Sequence, residues 1–442
     1  MDFSEETAQE GEHLQVHGKA DATASNSESL AHFRHLVLED ADLQKRLSQT
    51  ADAEAFYLRA AQLGREHGCP VTPAELREAV QSSRRISPPL ETNVRPGDLA
   101  GWVPASICAE KNLDSLLWHY LGTQSFTDPF YEQTVAKSLY HPFGKLFRRR
   151  TPIEVLEKFK EPSPGRRPDG FIFHMSRCGS TLISQMLAAL PQNLVISEAP
   201  PIDSILRLNL KNPAVTDEKR ISLLQGMVGT LGRPRSGLEK HFFIKFDAWS
   251  IMDLPLILTA FPGVPWVFVY RNPVEVIVSH MRRKGSQMVP GMIEPELFVL
   301  EKSLIPEMPA EEYCARVLAG ICRKALEHCD NRHSLLVNYS QLPDAVYTSI
   351  LDFFGVSSTP DDRKRMIETA EFDAKAPSFY FTSDSESKQR EASDRVLKAA
   401  QEYVSRLYEQ LERTRCKGGK SRDIISPPTS IPSADELPYP RS

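Results

Sequence analysis

Runs of apolar residues that end in polar residues, each followed by apolar residues at helical spacing, recur through the second half of the chain. Strands that are apolar at every position are typical of parallel sheets, because helices cover both faces of such a sheet. The pattern therefore predicts an α/β fold over residues 170–415, with a mostly parallel sheet of at least five strands and helices on both faces. The apolar runs are 171–173, 194–197, 241–247, 264–270 and 334–339.

A helical period replaces these runs in residues 29–81, where apolar residues recur at intervals of three and four. The pattern predicts two or three short amphipathic helices. Thr72 and Glu75 form a capping-box sequence around Pro73, which suits the first turn of a helix. A small all-helical domain, in which no group of residues has catalytic spacing, is thus predicted to precede the α/β core.

Four further segments differ in composition. Residues 1–28 and 416–442 are polar and lack a hydrophobic period, which predicts disorder. Residues 82–99 are rich in proline and in charges of both signs, which predicts a linker. Residues 100–169 are the most aromatic part of the chain. Their aromatic side chains are predicted to pack on the α/β core, and lining an acceptor pocket is an alternative that does not exclude packing.

The charge and cysteine content exclude several classes of protein. The 442 residues carry a net charge of −5, so the basic surface that nucleic-acid binders use is not expected. No apolar run approaches the ~18 residues that suggest a membrane span, and the first residues are acidic, which favours a cytoplasmic protein without a membrane partner. The seven cysteines form no Cys-x-x-Cys pair and no cluster with histidine, so no metal site is predicted.

A candidate phosphate-binding loop, Ser176-Arg-Cys-Gly-Ser-Thr181, follows the first apolar run and precedes a helical period. Unpaired backbone N–H groups and the positive end of the dipole favour an anion at the start of a helix. The glycine lets the backbone approach that anion, the two hydroxyl residues add donors, and the arginine adds a positive charge. The loop lacks the lysine and the first glycine of the pattern G-x-x-x-x-G-K-[ST], which disfavours a magnesium-dependent kinase or ATPase. Its candidate ligand-binding residues are Arg177, Cys178, Gly179, Ser180 and Thr181.

A second strand, turn and helix carry another candidate phosphate site. The apolar run 264–270 leads directly into Arg271, Pro273 suits the first turn of the next helix, and Ser279 lies two turns further on. Arg271 and Ser279 are therefore predicted to face the same phosphate.

Together the two stretches resemble the phosphate motifs of the sulfotransferase family. Residues 177–181 match [KR]-x-G-[ST]-T, and residues 271–279 match R-[ND]-P-x-[DE]-x-x-x-S, in the family's order. The resemblance covers most of residues 170–415 and implies a P-loop sheet that binds the sulfate donor 3′-phosphoadenosine 5′-phosphosulfate without a metal. It assigns the 5′-phosphosulfate to the first motif and the 3′-phosphate to the second. Two later residues are implied to contact the nucleotide, namely Tyr339 on the adenine side and Lys388 in a late polar loop.

The same resemblance implies which residues carry the chemistry. Glu198 follows Arg177 at the spacing of the general base in sulfotransferases of the tyrosylprotein type, although a carboxylate that caps a helix is an alternative interpretation. Lys245 matches the lysine of the Lys-x-His strand end in cytosolic sulfotransferases, where it would neutralise charge on the leaving phosphate; a surface lysine is the alternative. Asp247 stands where that family has the histidine. This departure favours Glu198 as the base and leaves Asp247 as its competitor.

Residues 29–81 resemble the small Nif-eleven domain. The resemblance lies in Phe33, Leu43, Leu47, Gly64 and the sequence 72–76. It implies a helical module that docks a peptide or protein partner, and an inert helical appendage is the alternative.

The function predicted from the two phosphate motifs is transfer of a sulfuryl group from 3′-phosphoadenosine 5′-phosphosulfate to a hydroxyl or amine of a small-molecule or peptide acceptor. A non-catalytic nucleotide-binding or peptide-docking protein and a P-loop kinase are the alternatives. Glu198 and Lys245 separate the first alternative from an enzyme, because a protein that only binds would need neither. The sequence leaves the identity of the acceptor open, because pocket-forming loops decide it.

Overall fold

The structure is a computed structural model that describes residues 28–83, 87–108, 114–159, 165–330 and 332–422. Its N-terminal part is helical. The predicted disordered segments therefore lie outside the described residues over 1–27 and 423–442. The first helices are α1 (28–39), α2 (Ala41–Ser48), α3 (Ala53–Glu66) and α4 (Pro73–Ser82).

The described residues of this part of the chain form four helices, whereas two or three were predicted. The difference arises at Asp40, whose extended backbone ends α1 and whose carboxylate accepts hydrogen bonds from the first N–H groups of α2. Thr72 and Glu75 form the predicted capping box of α4. The helices bury a shared apolar stripe that includes Phe33, Leu47, Phe56 and Leu76.

The aromatic segment 100–169 forms an antiparallel sheet. Its strands β1 (Trp102–Cys108), β2 (Ser115–Tyr120) and β3 (Arg149–Pro152) are adjacent in that order, and α5 (Tyr131–Lys137) and α6 (Pro142–Leu146) connect β2 to β3. Burial of large rings holds this sheet against the helices before it. The buried rings include Trp102, Trp118, Phe143 and Phe147.

Residues 87–99 of the predicted linker are packed rather than free. Val94 and Leu99 are buried, and Glu91 accepts hydrogen bonds from Arg149, the nearest at 2.6 Å. The same buried guanidinium donates to the carbonyl groups of Leu38 at 3.2 Å and Asp98 at 2.7 Å. One arginine therefore joins α1, the predicted linker and β3, because a buried guanidinium has to satisfy all of its donors.

A parallel sheet follows. Its five strands within the described residues lie in the order β5-β6-β4-β7-β8, and nearly every residue in them is buried. The predicted α/β fold, with a parallel sheet flanked by helices and preceded by a helical region, is confirmed. The strands are β4 (Gly170–His174), β5 (Asn193–Ser197), β6 (His241–Lys245), β7 (Trp266–Tyr270) and β8 (Ser334–Asn338).

Helices join these strands and cover the sheet. Some are short and are extended by 3-10 turns, as at Ala248–Asp253 before α11. The first group is α7 (Ser180–Ala188), α8 (Pro200–Leu206), α9 (Leu208–Lys211), α10 (Asp217–Leu231), α11 (Leu254–Ala260), α12 (Pro273–Arg282) and α13 (Ala310–His328). The later elements are α14 (Leu351–Phe353), α15 (Pro360–Ala370), the hairpin β9 (Phe372–Asp373) and β10 (Ala376–Tyr380), α16 (Ser385–Arg390), α17 (Asp394–Ala399) and α18 (Ser405–Arg422).

The C-terminal helix α18 continues through residues 416–422, which were predicted to be disordered. Ion pairs one turn apart favour its extension, among them Glu412 with Arg415 at 2.8 Å. Glu412 also accepts a hydrogen bond from Asn338 at 2.9 Å and contacts the hydroxyl of Tyr270, so α18 is anchored at the ends of β7 and β8. None of the described helices is long and apolar enough to span a bilayer.

The strand order of the parallel sheet indicates where a ligand would bind. From β4 the chain moves to β5 and β6 on one side, and it then crosses to β7 and β8 on the other side. Open α/β sheets bind ligands in the crevice outside the carboxyl ends of strands at such a divergence. The residues that follow β5, β7 and β8 are Glu198, Arg271 and Tyr339.

Candidate active site

A cavity of about 920 Å³ lies at the carboxyl ends of the parallel strands. It brings together the predicted residues of both phosphate motifs, both candidate bases and the two later nucleotide contacts. Lys245 lies directly behind this lining, in contact with Glu198. The predicted residues that line the cavity are Arg177, Cys178, Gly179, Ser180, Thr181, Glu198, Asp247, Arg271, Ser279, Tyr339 and Lys388.

The loop after β4 presents its backbone to the cavity. Ser176 and Arg177 have φ values of 79° and 50°, a left-handed conformation that residues other than glycine rarely adopt. Gly179 has a φ of 87°, and a Cβ atom there would lie 2.7 Å from the Cδ1 atom of Leu342. As the N-cap residue of α7, this glycine has no side chain that could satisfy the first N–H groups of the helix. These groups are therefore available to an anion in the cavity.

Two side chains of this loop differ in orientation. Cys178 is fully buried and its thiol donates to the carbonyl of Val269 at 3.1 Å, so burial raises its pKa to about 11. Cys178 can therefore offer a ligand only its backbone. Arg177 donates to the carbonyl oxygen of Arg283 at 3.0 Å, and Arg283 and Lys284 also line the cavity. This end of the cavity is positively charged.

The other predicted phosphate site is built around Arg271. Its guanidinium is buried, donates to Glu275 at 2.5 Å and to Asp384 at 2.8 Å, and lies 4.0 Å from the centre of the Tyr339 ring. Lys388, predicted in a loop, lies in α16 instead and is buried with its ammonium 2.6 Å from Asp384. Arg271 and Lys388 thus both contact the Asp384 carboxylate, and the ring of Tyr339 stacks against the Arg271 guanidinium.

Glu198 and Lys245 form an ion pair at the ends of β5 and β6, on the side of the phosphate loop away from Arg271. The Lys245 ammonium contacts Glu198 Oε1 and is fully buried, so the alternative of a surface lysine is wrong. The N-cap residue of α8 is Ala199, so the alternative of a capping carboxylate at Glu198 is also wrong. Glu198 has a φ of 50°, which marks strained backbone at the end of β5.

His174, which sequence reasoning missed, supports this pair. Its Nδ1 accepts a hydrogen bond from the N–H of Ser176 at 3.1 Å, which leaves the proton on Nε2. Nε2 donates to the carbonyl of Phe246 at 3.1 Å and lies 3.4 Å from Glu198 Oε1. Burial lowers the pKa of His174, which favours the neutral imidazole. Its position at the end of β4, directly before the loop, was a usable signal.

The two candidate bases have pKa values that shift in opposite directions. Burial alone would raise the pKa of Glu198, but the charge of Lys245 and the hydrogen bond from His174 hold it well below its ordinary value of 4.5. Burial raises the pKa of Asp247 well above its ordinary range, and the nearby charges of Glu198 and Asp203 raise it further. Among the described residues the carboxylate of Asp247 has no hydrogen-bonded or ion-paired partner, although its backbone carbonyl accepts a hydrogen bond from the N–H of Ser250 at 3.0 Å. Carboxyl groups with separated pKa values are typical of acid–base sites.

Lys375 is a second residue that the sequence did not indicate. It lies in the turn of the β9–β10 hairpin, and its ammonium lines the cavity at 5.9 Å from the centre of the Phe130 ring. Although Lys375 as a whole is exposed, the protein atoms around its ammonium and the charges of Arg177 and Lys245 lower its pKa to about 8. No motif surrounds Lys375 in the sequence, so only the tertiary structure brings it to the site.

Comparisons with known proteins give similarity at the level of solved structures. No family model and no curated protein matches the chain. The chain is similar to the sulfotransferase domain from the curacin biosynthetic pathway, with 15% identity over 53% of this chain and 97% of that one at a TM-score of 0.32. It is also similar to sulfotransferase STF9 from Mycobacterium avium, with 13% identity over 55% and 79% of the two chains at a TM-score of 0.32.

A third similar structure is the sulfotransferase domain of the Synechococcus PCC 7002 olefin synthase, with 17% identity over 58% of this chain and 97% of that one at a TM-score of 0.31.

Within the described residues no group of three or more His, Cys, Asp and Glu side chains is placed to hold a metal ion. The resemblance of residues 29–81 to the Nif-eleven domain stays a prediction. The similar solved structures are sulfotransferases, and their similarity extends over about half of this chain.

Proposed function

We propose that this protein transfers a sulfuryl group from 3′-phosphoadenosine 5′-phosphosulfate to a hydroxyl or amine of a small-molecule or peptide acceptor. One observation carries the proposal: two candidate anion-binding sites line the same cavity as Glu198, which is paired with the buried ammonium of Lys245. The Lys245–Glu198 pair lies at the ends of β5 and β6, beside the loop after β4. A protein that only bound a nucleotide would bear the desolvation cost of this pair without using it.

The chain's residues fit the donor at both of its charged ends. Free N–H groups at the start of α7, with the hydroxyl groups of Ser180 and Thr181 and the charge of Arg177, would hold the 5′-phosphosulfate. Arg271 and Lys388, with Ser279 nearby, would hold the 3′-phosphate. When bound, the donor supplies an activated sulfuryl group, and its transfer is governed by positioning and charge neutralisation, as in phosphoryl transfer.

The residues at the ends of β5 and β6 take the chemical roles. Lys245 is a fixed buried cation that can neutralise negative charge developing on the phosphate side. Glu198 is the proposed general base, positioned by Lys245 and His174 and deprotonated over the whole neutral range. Asp247 is its competitor, since it lines the same cavity and has the higher pKa.

Donor-dependent sulfation is the test of this function. Purified protein is incubated with the donor and a cell lysate, and products are searched for sulfate-mass additions by mass spectrometry. Additions that require both the donor and the folded protein support the proposal, with heat-denatured protein as the inactive control. Donor hydrolysis without any sulfated product, in lysates of differing origin, contradicts it.

Arg271→Ala is expected to weaken binding of adenosine 3′,5′-bisphosphate by roughly 10- to 100-fold, the range of a lost charge-assisted hydrogen bond. Binding of adenosine 5′-phosphate should change little, because that ligand has no 3′-phosphate for Arg271 to hold. Isothermal titration calorimetry with both ligands measures the difference. Arg282→Ala is the matched control, since Arg282 pairs with Glu391 rather than lining the cavity. Equal losses for the two ligands would remove Arg271 from the 3′-phosphate site.

A further inference from the structure

A single carboxylate joins the two cations of the predicted 3′-phosphate site. Asp384 Oδ1 accepts a hydrogen bond from Arg271 Nη2 at 2.8 Å, and its Oδ2 lies 2.6 Å from the Lys388 ammonium. The side chains of Arg271 and Lys388 are only 5% and 6% exposed, whereas that of Asp384 is 41% exposed. The acidic side chain thus reaches from the rim of the cavity to two buried cations.

The cations have supports other than Asp384. Arg271 is also held by Glu275 at 2.5 Å, by the hydroxyl of Ser385 at 2.9 Å and by the ring of Tyr339. The buried stem of Lys388 belongs to α16. Both cations can therefore keep their positions when Asp384 leaves them.

Asp384 has no competing structural task in α16. It occupies the N-cap position of this helix, where an aspartate normally accepts hydrogen bonds from the first N–H groups. Here its side chain makes no capping bond and turns to the cations instead. Two carboxylate oxygens on two cations resemble the way a phosphate group would use the same donors, since both are planar or tetrahedral oxyanions with several acceptors.

We propose that Asp384 competes with the ligand's 3′-phosphate for Arg271 and Lys388, so that the phosphate binds only after displacing this carboxylate. The proposal rests on the proposed function, because it concerns the nucleotide site of the donor. The competition lowers affinity for every ligand that needs these cations, because only the fraction of protein in which Asp384 has left them can bind such a ligand. When the bisphosphate product leaves, Asp384 returns to the cations and favours its release.

The test compares Asp384→Asn with Glu386→Gln. Both variants remove one negative charge from the same segment, but Glu386 is exposed and its side chain has no hydrogen-bonded or ion-paired partner among the described residues. Calorimetry with adenosine 3′,5′-bisphosphate is expected to show about tenfold tighter binding by Asp384→Asn and no more than about a twofold change by Glu386→Gln. Adenosine 5′-phosphate should bind both variants as it binds the wild type. Asp384→Ser, which is too short to bridge both cations, should act in the same direction.

The outcomes separate this proposal from the function itself. If the wild type prefers the bisphosphate to adenosine 5′-phosphate but Asp384→Asn binds the bisphosphate no more tightly, the competition is wrong and the nucleotide site stands. If neither protein distinguishes the two nucleotides, the 3′-phosphate site is wrong and the competition falls with it.

Discussion

Glu198→Gln is expected to lower turnover by ~10²–10⁴-fold and to leave donor affinity nearly unchanged, because a general base contributes about that much to a reaction. The amide keeps the shape of the side chain but cannot accept the acceptor's proton. Its contacts with Lys245 and His174 place the Glu198 carboxylate at the cavity wall, and its strained backbone fixes that placement. Turnover with any acceptor found in the lysate experiment, together with donor binding by calorimetry, measures both effects.

Asp247→Asn is the matched comparison, since it makes the same change in the other carboxylate of the cavity. A base must be deprotonated, so the activity of the wild type should fall on the acid side as the pH drops through the pKa of the base. The lowered pKa of Glu198 predicts activity that persists into acid, whereas the raised pKa of Asp247 would move this fall to higher pH. An inactive Asp247→Asn beside a normal Glu198→Gln would transfer the role of base to Asp247.

Lys245→Met is expected to destabilise the fold by about 1–3 kcal/mol near neutral pH, because it leaves the Glu198 carboxylate, whose side chain is 23% exposed, without its ion-pair partner. Urea denaturation at several pH values measures the free energy of unfolding. Lys240→Met is the control for loss of a lysine, since Lys240 is exposed and close in the chain. Its effect should stay within about 0.5 kcal/mol.

The pH dependence of this loss has a definite sign. In the wild type the folded-state pKa of Glu198 is below 4.5, so the stability from the pair is present above about pH 4.5 and is lost as the pH falls through the lower value. Without Lys245, burial raises the folded-state pKa above 4.5, so the carboxylate takes up a proton and the destabilisation shrinks at about pH 5. Adding Glu198→Gln to Lys245→Met should restore part of the stability at about pH 8. Strictly additive losses would show that the two side chains do not depend on each other.

The central sheet and most of the site could be predicted from the sequence because local patterns specify them. Continuous apolar runs located the parallel strands, and a residue that directly follows such a strand has to lie at the common carboxyl edge. Arg271 was found in this way, whereas the resemblance to sulfotransferases pointed to Tyr339 and to the role of Glu198. The phosphate loop was found because glycine and hydroxyl residues at a strand–helix junction have few other uses.

The remaining parts depend on contacts that are distant in the sequence. Lys375 and Asp384 reach the cavity from segments with no motif, and the partners of Asp384 are Arg271 and Lys388. The packing of residues 87–99 depends on Arg149, whose burial no local pattern indicates. Sequence periodicity carries no information on which polar side chains will satisfy one another inside the fold.

Calorimetric titration of the wild-type protein with adenosine 3′,5′-bisphosphate and with ATP plus magnesium is the most decisive measurement. The cavity holds Arg271 and Lys388, the cations proposed to bind a 3′-phosphate, and its loop lacks the lysine of a nucleoside-triphosphate site. The bisphosphate is therefore expected to bind in the absence of magnesium, more tightly than adenosine 5′-phosphate and more tightly than ATP. Tight, magnesium-dependent binding of ATP with no binding of the bisphosphate would contradict a sulfotransferase and indicate a P-loop kinase.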